Sequence, residues 1–371
     1  MSFPDFDYYD ILDALEDRSC VLFLGPGIYL DEENKLLEKK VWETLDVHNS
    51  DHPMIKAFYE NDGFYLFREE NYRRKVVRRI KRIYEQEFPA TDTILQKLSR
   101  IPFPVVFNLS PDNLLARAYD SQLQNYHSEF YFMGQPFKEF IPPTEDRTLI
   151  YGMLGNHEEP ESMVMTHKDL FSYLESIFQG KSMSPQLRKL IQDTDTFIFL
   201  GLPFEKWYMQ LLMRVLYHIS SRLERIEQYA AMTQGANPNR IFKDEFRIQF
   251  APDHAQQFID ELYNLCDQQG KLKPIPEKSA EHHHKQLLKE ALNAFSRNRI
   301  LKGIDNVRTV LESYPEAQTK LNELIFQRSS YEQLYEKEVN SLAMESDKIA
   351  MRQTIARCIS MVSEVQKMLG L

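Results

Sequence analysis

A motif repeated along the first two-thirds of the chain constrains its fold most. A short unbroken apolar run is closed at once by glycine or a small capping residue. Cys20–Leu24 runs into Gly25-Pro26-Gly27, and Pro104–Leu109 runs into Ser110-Pro111-Asp112-Asn113. Thr148–Met153 ends just before Gly155, Thr196–Leu200 ends at Gly201, and Phe246–Phe250 is a fifth run. Runs this short, apolar without alternation, predict strands buried on both faces. The gaps carry helical spacing, over residues 5–18, Arg74–Glu87, Thr91–Leu98, Lys168–Phe178, Pro185–Ile191, Glu205–Tyr229 and Ala255–Cys266. Strands alternating with helices predict an α/β, Rossmann-like parallel sheet covered on both sides. Open sheets of this kind bind ligands beyond the carboxyl ends of their strands. Gly25, Gly27, Ser110, Asp112, Gly155, Asn156 and Gly201 are therefore expected to gather at one edge.

The strand signal stops at Asp267–Ala280, a polar stretch with two prolines that reads as a linker. Beyond it, His284–Ser296, Arg299–Glu312, Glu316–Lys337 and Ser346–Met368 read as amphipathic helices, with Tyr314-Pro315 breaking the second from the third. The domains are placed at 1–270 and 284–371, the second small and all-α, with 271–283 between them. A length of 371 residues suits two cores better than one.

A net charge of −10 argues against a general nucleic-acid coat. One stretch runs against that balance, with seven basic residues among the ten from Arg73 to Arg82. A nucleic-acid contact is expected only there, through Arg73, Arg74, Arg78, Arg79 and Arg82. Cys20, Cys266 and Cys358 lie too far apart for a zinc knuckle or a disulfide framework. His282-His283-His284 reads as a solvated run, so no metal is expected. The N-terminal stretch is acidic without an apolar signal core, and no run approaches the ~20 residues of a membrane helix. A cytoplasmic protein with no membrane partner is expected.

Four of these motifs, in order over about residues 8–266, resemble the sirtuin-like family. VLFLGPGIYL resembles its opening GAGxS strand and loop, and LSPDNLL its TQNID element. YGMLGN resembles its LHGS element, and PESMVMTHKDLFSYL the PESxVLTxxDY stretch of the prokaryotic branch. FIFLGLPFEKWYMQLLMRVL is similar to that branch's LGYSxxDxxLxxLL segment. The resemblance implies NAD or a related nucleotide as ligand and a role in bacterial antiphage defence. Many members of the branch hydrolyse NAD to ADP-ribose and nicotinamide in abortive infection. A zinc-dependent deacetylase is not implied, because the paired cysteines of that branch are missing.

The departures fall on the chemistry. The family cleaves NAD with an Asn from TQNID and a His from LHG. Ser110 stands where the Asn belongs and Leu154 where the His belongs, and leucine accepts no proton. The resemblance therefore implies a degenerate module that binds a nucleotide or acts as a scaffold. An NAD hydrolase with an improvised site built from Asn108, Ser110, Asp112 and His157 is the alternative. Trp207 and Tyr208, just after Gly201, are candidates to stack on a base. Residues 284–371, with FQRSSYEQL in place of an LxSRYxxL-like element, resemble the helical effector-associated domains of conflict systems. That likeness implies assembly through this segment, as a homo-oligomer or with a second defence protein.

Overall fold

The structure is a computed structural model and describes residues 6–132, 134–135, 140–178, 184–219, 226–233, 240–275, 280–296, 299–339 and 344–369. For His218, His282 and His283 it describes the backbone alone. The chain divides into two compact units, Met1–Ile275 and Pro276–Leu371.

The first unit runs α1 (Tyr8–Glu16), β1 (Cys20–Leu24), α2 (Leu37–Leu45), β2 (Ile55–Tyr59), β3 (Phe64–Phe67), α3 (Tyr72–Tyr84), α4 (Pro89–Arg100), β4 (Val105–Asn108), α5 (Leu114–Ser121) and β5 (Asn125–Phe130). It continues with β6 (Arg147–Gly152), α6 (His167–Phe178), α7 (Pro185–Gln192), β7 (Thr196–Leu200), α8 (Trp207–Ile219), β8 (Glu227–Ala231), α9 (Arg240–Asp244), β9 (Gln249–Phe250) and α10 (Ala255–Gln268). Seven strands form one sheet in the order β5-β6-β4-β1-β7-β8-β9, and β2 and β3 form a separate antiparallel hairpin. Every pairing in the large sheet is parallel.

Alternation along β1 splits its side chains between two cores. Cys20, Leu22 and Leu24 enter one, and Val21 and Phe23 the other. Both faces are covered, which is why the run reads as continuously apolar. Phe23 stacks between Phe107 of β4 and Phe199 of β7, with ring centroids 5.0 and 5.1 Å apart. This aromatic row locks the register of the three central strands.

The sheet has two strands that the sequence pattern does not reveal. β5 (NYHSEF) is a half-exposed edge strand, whose polar residues suit an edge. β8 (EQYAA) is made of good helix formers and falls at the end of the predicted helix Glu205–Tyr229. That helix instead stops at Ile219, and burial between β7 and β9 imposes the strand. The expected strand Phe246–Phe250 shrinks to its last two residues.

The second unit contains α11 (Ala280–Ser296), α12 (Ile300–Glu312), α13 (Gln318–Val339) and α14 (Glu345–Leu369). Leu288, Phe295, Ile304, Leu324, Cys358 and Val362 belong to its core. Gly303 lets α11 and α12 approach closely, since a Cβ there would meet the Phe295 ring 2.6 Å away. His284 is buried rather than solvated, and its Nδ1 pairs with the Tyr314 hydroxyl at 3.0 Å. Among the described residues no helix is long and apolar enough to cross a membrane.

Candidate functional site

Strand pairing brings the predicted strand ends together at the carboxyl edge of the sheet. The Gly25 N–H donates to Leu200 O at 2.8 Å, and the Gly27 N–H to Gly201 O at 2.9 Å. On the other side of β1, the Leu109 N–H donates to Leu24 O and the Met153 N–H to Asn108 O, both at 2.8 Å. A cavity of about 140 Å³ lies at this edge. Pro26, Ser110, Pro111 and Leu154 line it from the strand ends, and Glu38, Trp42, Ile80 and Tyr84 from α2 and α3. Met163, Met165, Lys206 and Tyr208 complete the wall together with Asp62–Tyr65 of the hairpin.

The loop after β6 is shaped by α3, and this accounts for much of the basic run. Arg73 is 4% exposed; it donates from Nε to Pro160 O at 3.1 Å and from Nη2 to Met163 O, and pairs through Nη1 with Asp169 at 2.9 Å. Arg74 pairs with Glu161 at 2.7 Å, and Lys81 pairs with Glu158. Three of the seven cations thus hold the acidic stretch 158–169, and Arg73 is not available as a nucleic-acid contact. Arg78, Arg79 and Arg82 remain exposed. Gly155, at φ +85°, makes the turn into this loop, where a Cβ would run into the backbone of Ser162. The Asn156 N–H donates to Ser162 Oγ at 2.9 Å, and Asn156 Oδ1 accepts from the Glu158 N–H at 2.8 Å. Asn156 therefore builds the loop.

Behind the cavity lies a buried polar cluster. Asn108, Ser110, Asp112 and His157 are each 2–4% exposed. Asn108 Oδ1 accepts from the Ser110 N–H at 3.0 Å and from the Tyr29 hydroxyl at 3.5 Å, so its side chain is occupied with structure. Burial pushes the Asp112 carboxyl and the Tyr84 hydroxyl up, and the nearby Ser110 hydroxyl draws both back. Asp112 Oδ1 caps the Leu114 N–H at 2.8 Å, a role the sequence pattern assigns to Ser110. Asp112 Oδ2 has no partner, and burial pushes this carboxyl above the usual carboxylate range. Asn113 precedes α5 rather than lying on it, and its buried Oδ1 is unpartnered.

His157 is not a surface loop residue. Its N–H donates to Pro111 O at 2.8 Å, its ring stacks on Tyr84 at 6.1 Å, and neither ring nitrogen makes a hydrogen bond. Nε2 lies 3.5 Å from Glu158 Oε1. His157 and Lys81 together draw the Glu158 carboxyl down to about 2.

Sequence reasoning missed the hairpin that closes the cavity. Asp62-Gly63 between the aromatic runs Phe58-Tyr59 and Phe64-Tyr65 is a strong hairpin signal and would have located it. Glu38, Trp42, Lys206 and Met165 carry no motif, and only the fold brings them in. Tyr208 reaches the cavity wall, whereas Trp207 is bound to Asp62 through Nε1 at 3.0 Å.

A family model for the SIR2-like domain matches residues 104–251, which spans β4 to the end of β9. No curated protein matches the chain. The match supports a sirtuin-like, NAD-related module, and it begins after the glycine turn. That turn does not form an open phosphate cradle. A Cβ on Gly25 would run into the Gly201 carbonyl, and one on Gly27 into Thr233 Oγ1. These glycines allow β1 and β7 to meet closely. Ligand pockets usually measure about 300–1,000 Å³, so a cavity of about 140 Å³ does not hold a dinucleotide in this conformation. Among the described residues no cluster of His, Cys, Asp and Glu is arranged to hold a metal ion.

Proposed function

We propose that the first unit is a sirtuin-like module that has lost its NAD-cleaving pair and works by binding a nucleotide or as a scaffold. In this reading the helical unit assembles the chain with itself or with a second protein, as part of a bacterial antiphage system. The observation that carries the reading is Leu154, an aliphatic wall residue of the cavity where the resemblance places a proton acceptor. Loss of a positioned base costs about 10²–10⁴-fold in rate. Ser110 adds to the loss, since a hydroxyl replaces an amide's separate donor and acceptor. Purified full-length protein incubated with NAD should release no detectable nicotinamide. Ser110→Asn combined with Leu154→His should raise turnover, and robust hydrolysis by the unaltered protein would refute the reading.

One observation favours the alternative, an active NAD hydrolase. His157 is buried beside Asp112; Nε2 faces Glu158 at 3.5 Å and Nδ1 is unpartnered. There it would serve as base, with Ser110 and Asp112 orienting the substrate. Asn108, already bonded to Ser110 and Tyr29, has less to offer. If NAD is hydrolysed and His157→Ala abolishes it, this second reading replaces the first.

A further inference from the structure

We propose that the β2–β3 hairpin is a lid over the cavity, latched shut at its tip by the single carboxylate of Asp62. Asp62, Gly63, Phe64 and Tyr65 form one wall of the cavity, yet the hairpin pairs with no strand of the seven-stranded sheet. A two-stranded ribbon is marginal alone, so its attachments decide whether the cavity is open or shut. At the tip, Asp62 Oδ2 pairs with His167 Nε2 at 2.8 Å, and Oδ1 accepts from Trp207 Nε1–H at 3.0 Å. His167 and Trp207 are the first residues of α6 and α8. One carboxylate therefore pins the tip to two helices at their positive ends.

Along β3, the Tyr65 N–H points away from the hairpin and donates to Met165 O at 2.9 Å. Apolar contact does the rest. His167 packs against Tyr59 and Phe64 at 4.8 and 5.0 Å, and Phe64 against Tyr208 at 5.5 Å. The latch lies at the rim, where the Asp62 and His167 side chains are 20% and 30% exposed, so water competes for it directly. Swinging the hairpin out removes a wall from a cavity too small, in this conformation, for a dinucleotide. That consequence rests on the nucleotide reading above; the latch itself does not.

Hydrogen exchange of the full-length protein without ligand tests the latch. The Tyr65 amide reports docking of the lid, and the Arg68 amide, bonded to Met54 O at 3.0 Å, reports the base of the hairpin. Asp62→Ala should speed exchange at Tyr65 by about tenfold or more, with Arg68 and the β1 amides changed far less. Trp207→Phe, which removes the N–H while keeping an aromatic ring at the position, should give a smaller acceleration of the same pattern. Tyr65 exchange within about twofold of the parent in both variants overturns the proposal, and so does equal acceleration at Tyr65, Arg68 and β1. In a second arm NAD is the probe, and it should associate faster with the Asp62→Ala protein than with the parent. An equal rate overturns the lid as a gate. If NAD binds to neither protein, the nucleotide reading fails, and the exchange arm decides the lid on its own.

Discussion

In the α/β unit, Asn108, Ser110, Asp112 and His157 are buried together at the ends of β4 and β6. In the helical unit, the buried polar residues among those described are His284 and Thr354, each hydrogen-bonded, and the Asn306 Nδ2 is one buried polar atom there without a partner. Both units expose some large apolar side chains, and the smaller helical unit carries the two most exposed among the described residues. Ile325, Phe326, Tyr335, Met344, Ile349 and Ile359 of the helical unit are exposed, with Phe326 at 67% and Met344 at 72%. The charges there pair at the surface, where Arg357 meets Glu323 at 2.6 Å and Glu364 at 2.5 Å. Burying polar groups without partners costs stability, so a fold keeps such a cluster where a site requires it. Exposing large apolar groups is tolerated where a partner covers them. The α/β unit buries unpartnered polar groups beside its cavity, and the helical unit exposes large apolar side chains, as its proposed role in assembly requires.

The largest test of this contrast is Arg73→Ala. It leaves the Pro160 and Met163 carbonyls and the Asp169 carboxylate without their buried cation. Removing one partner of such a cluster costs about 3–5 kcal/mol. Denaturant melts of the full-length protein should show the α/β transition shifted by that amount and the helical transition unmoved. A shift below about 1 kcal/mol would mean that α3 does not clamp the loop.

A smaller effect comes from Lys273. Burial pushes its ammonium down to about 7, with Nζ donating to Thr148 Oγ1 at 2.6 Å and lying 4.9 Å from the Tyr119 ring centre. Arg18 adds to the depression. Between about pH 7 and 10.5 the unfolded chain binds the proton and the folded chain does not. Lys273 therefore makes stability rise with pH across that window and fall away as pH drops towards 7. Between pH 7 and 9, below the range where the buried Cys20 and Cys266 thiols and the buried tyrosines begin to act in the opposite sense, the parent should gain on the order of 2 kcal/mol relative to Lys273→Met. Lys273→Met should flatten the profile, and an unchanged slope in that variant would place the titration elsewhere.

The smallest effect on stability is expected from Phe326→Ser, within about 0.5 kcal/mol. If Phe326 belongs to a self-association surface, light scattering should show a smaller assembly from this variant at equal concentration. An unchanged subunit number, with no loss of a bound partner, would leave the exposed face of α13 without that role.

Much of the α/β unit was legible because a strand buried on both faces writes itself as an apolar run. Cys20–Leu24 and Thr196–Leu200 were readable to the residue. β8 was not, since Glu, Gln and Ala carry helix propensity and only the neighbouring strands make it extended. The floor of the cavity was legible from its turns. Its roof was not, because Glu38, Lys206 and the methionines lie far apart in sequence. The burial of His157 also escaped the sequence, since a histidine followed by Glu158 and Glu159 reads as solvated loop until α3 is folded against it.

The position of β1 at the centre of the sheet has a consequence for synthesis. It is translated well before one of its two neighbours, since Cys20 pairs with Thr196, 176 positions later. At about 5–20 residues per second, the finished β1 waits roughly 9–35 s for the strand that covers its second edge. For that interval five consecutive apolar residues present unpaired backbone, a ready template for pairing with another nascent chain. Ribosome pausing between β4 and β7 lengthens the exposure, so the yield of folded protein should depend on translation speed over that stretch as well as on the stability of the finished sheet.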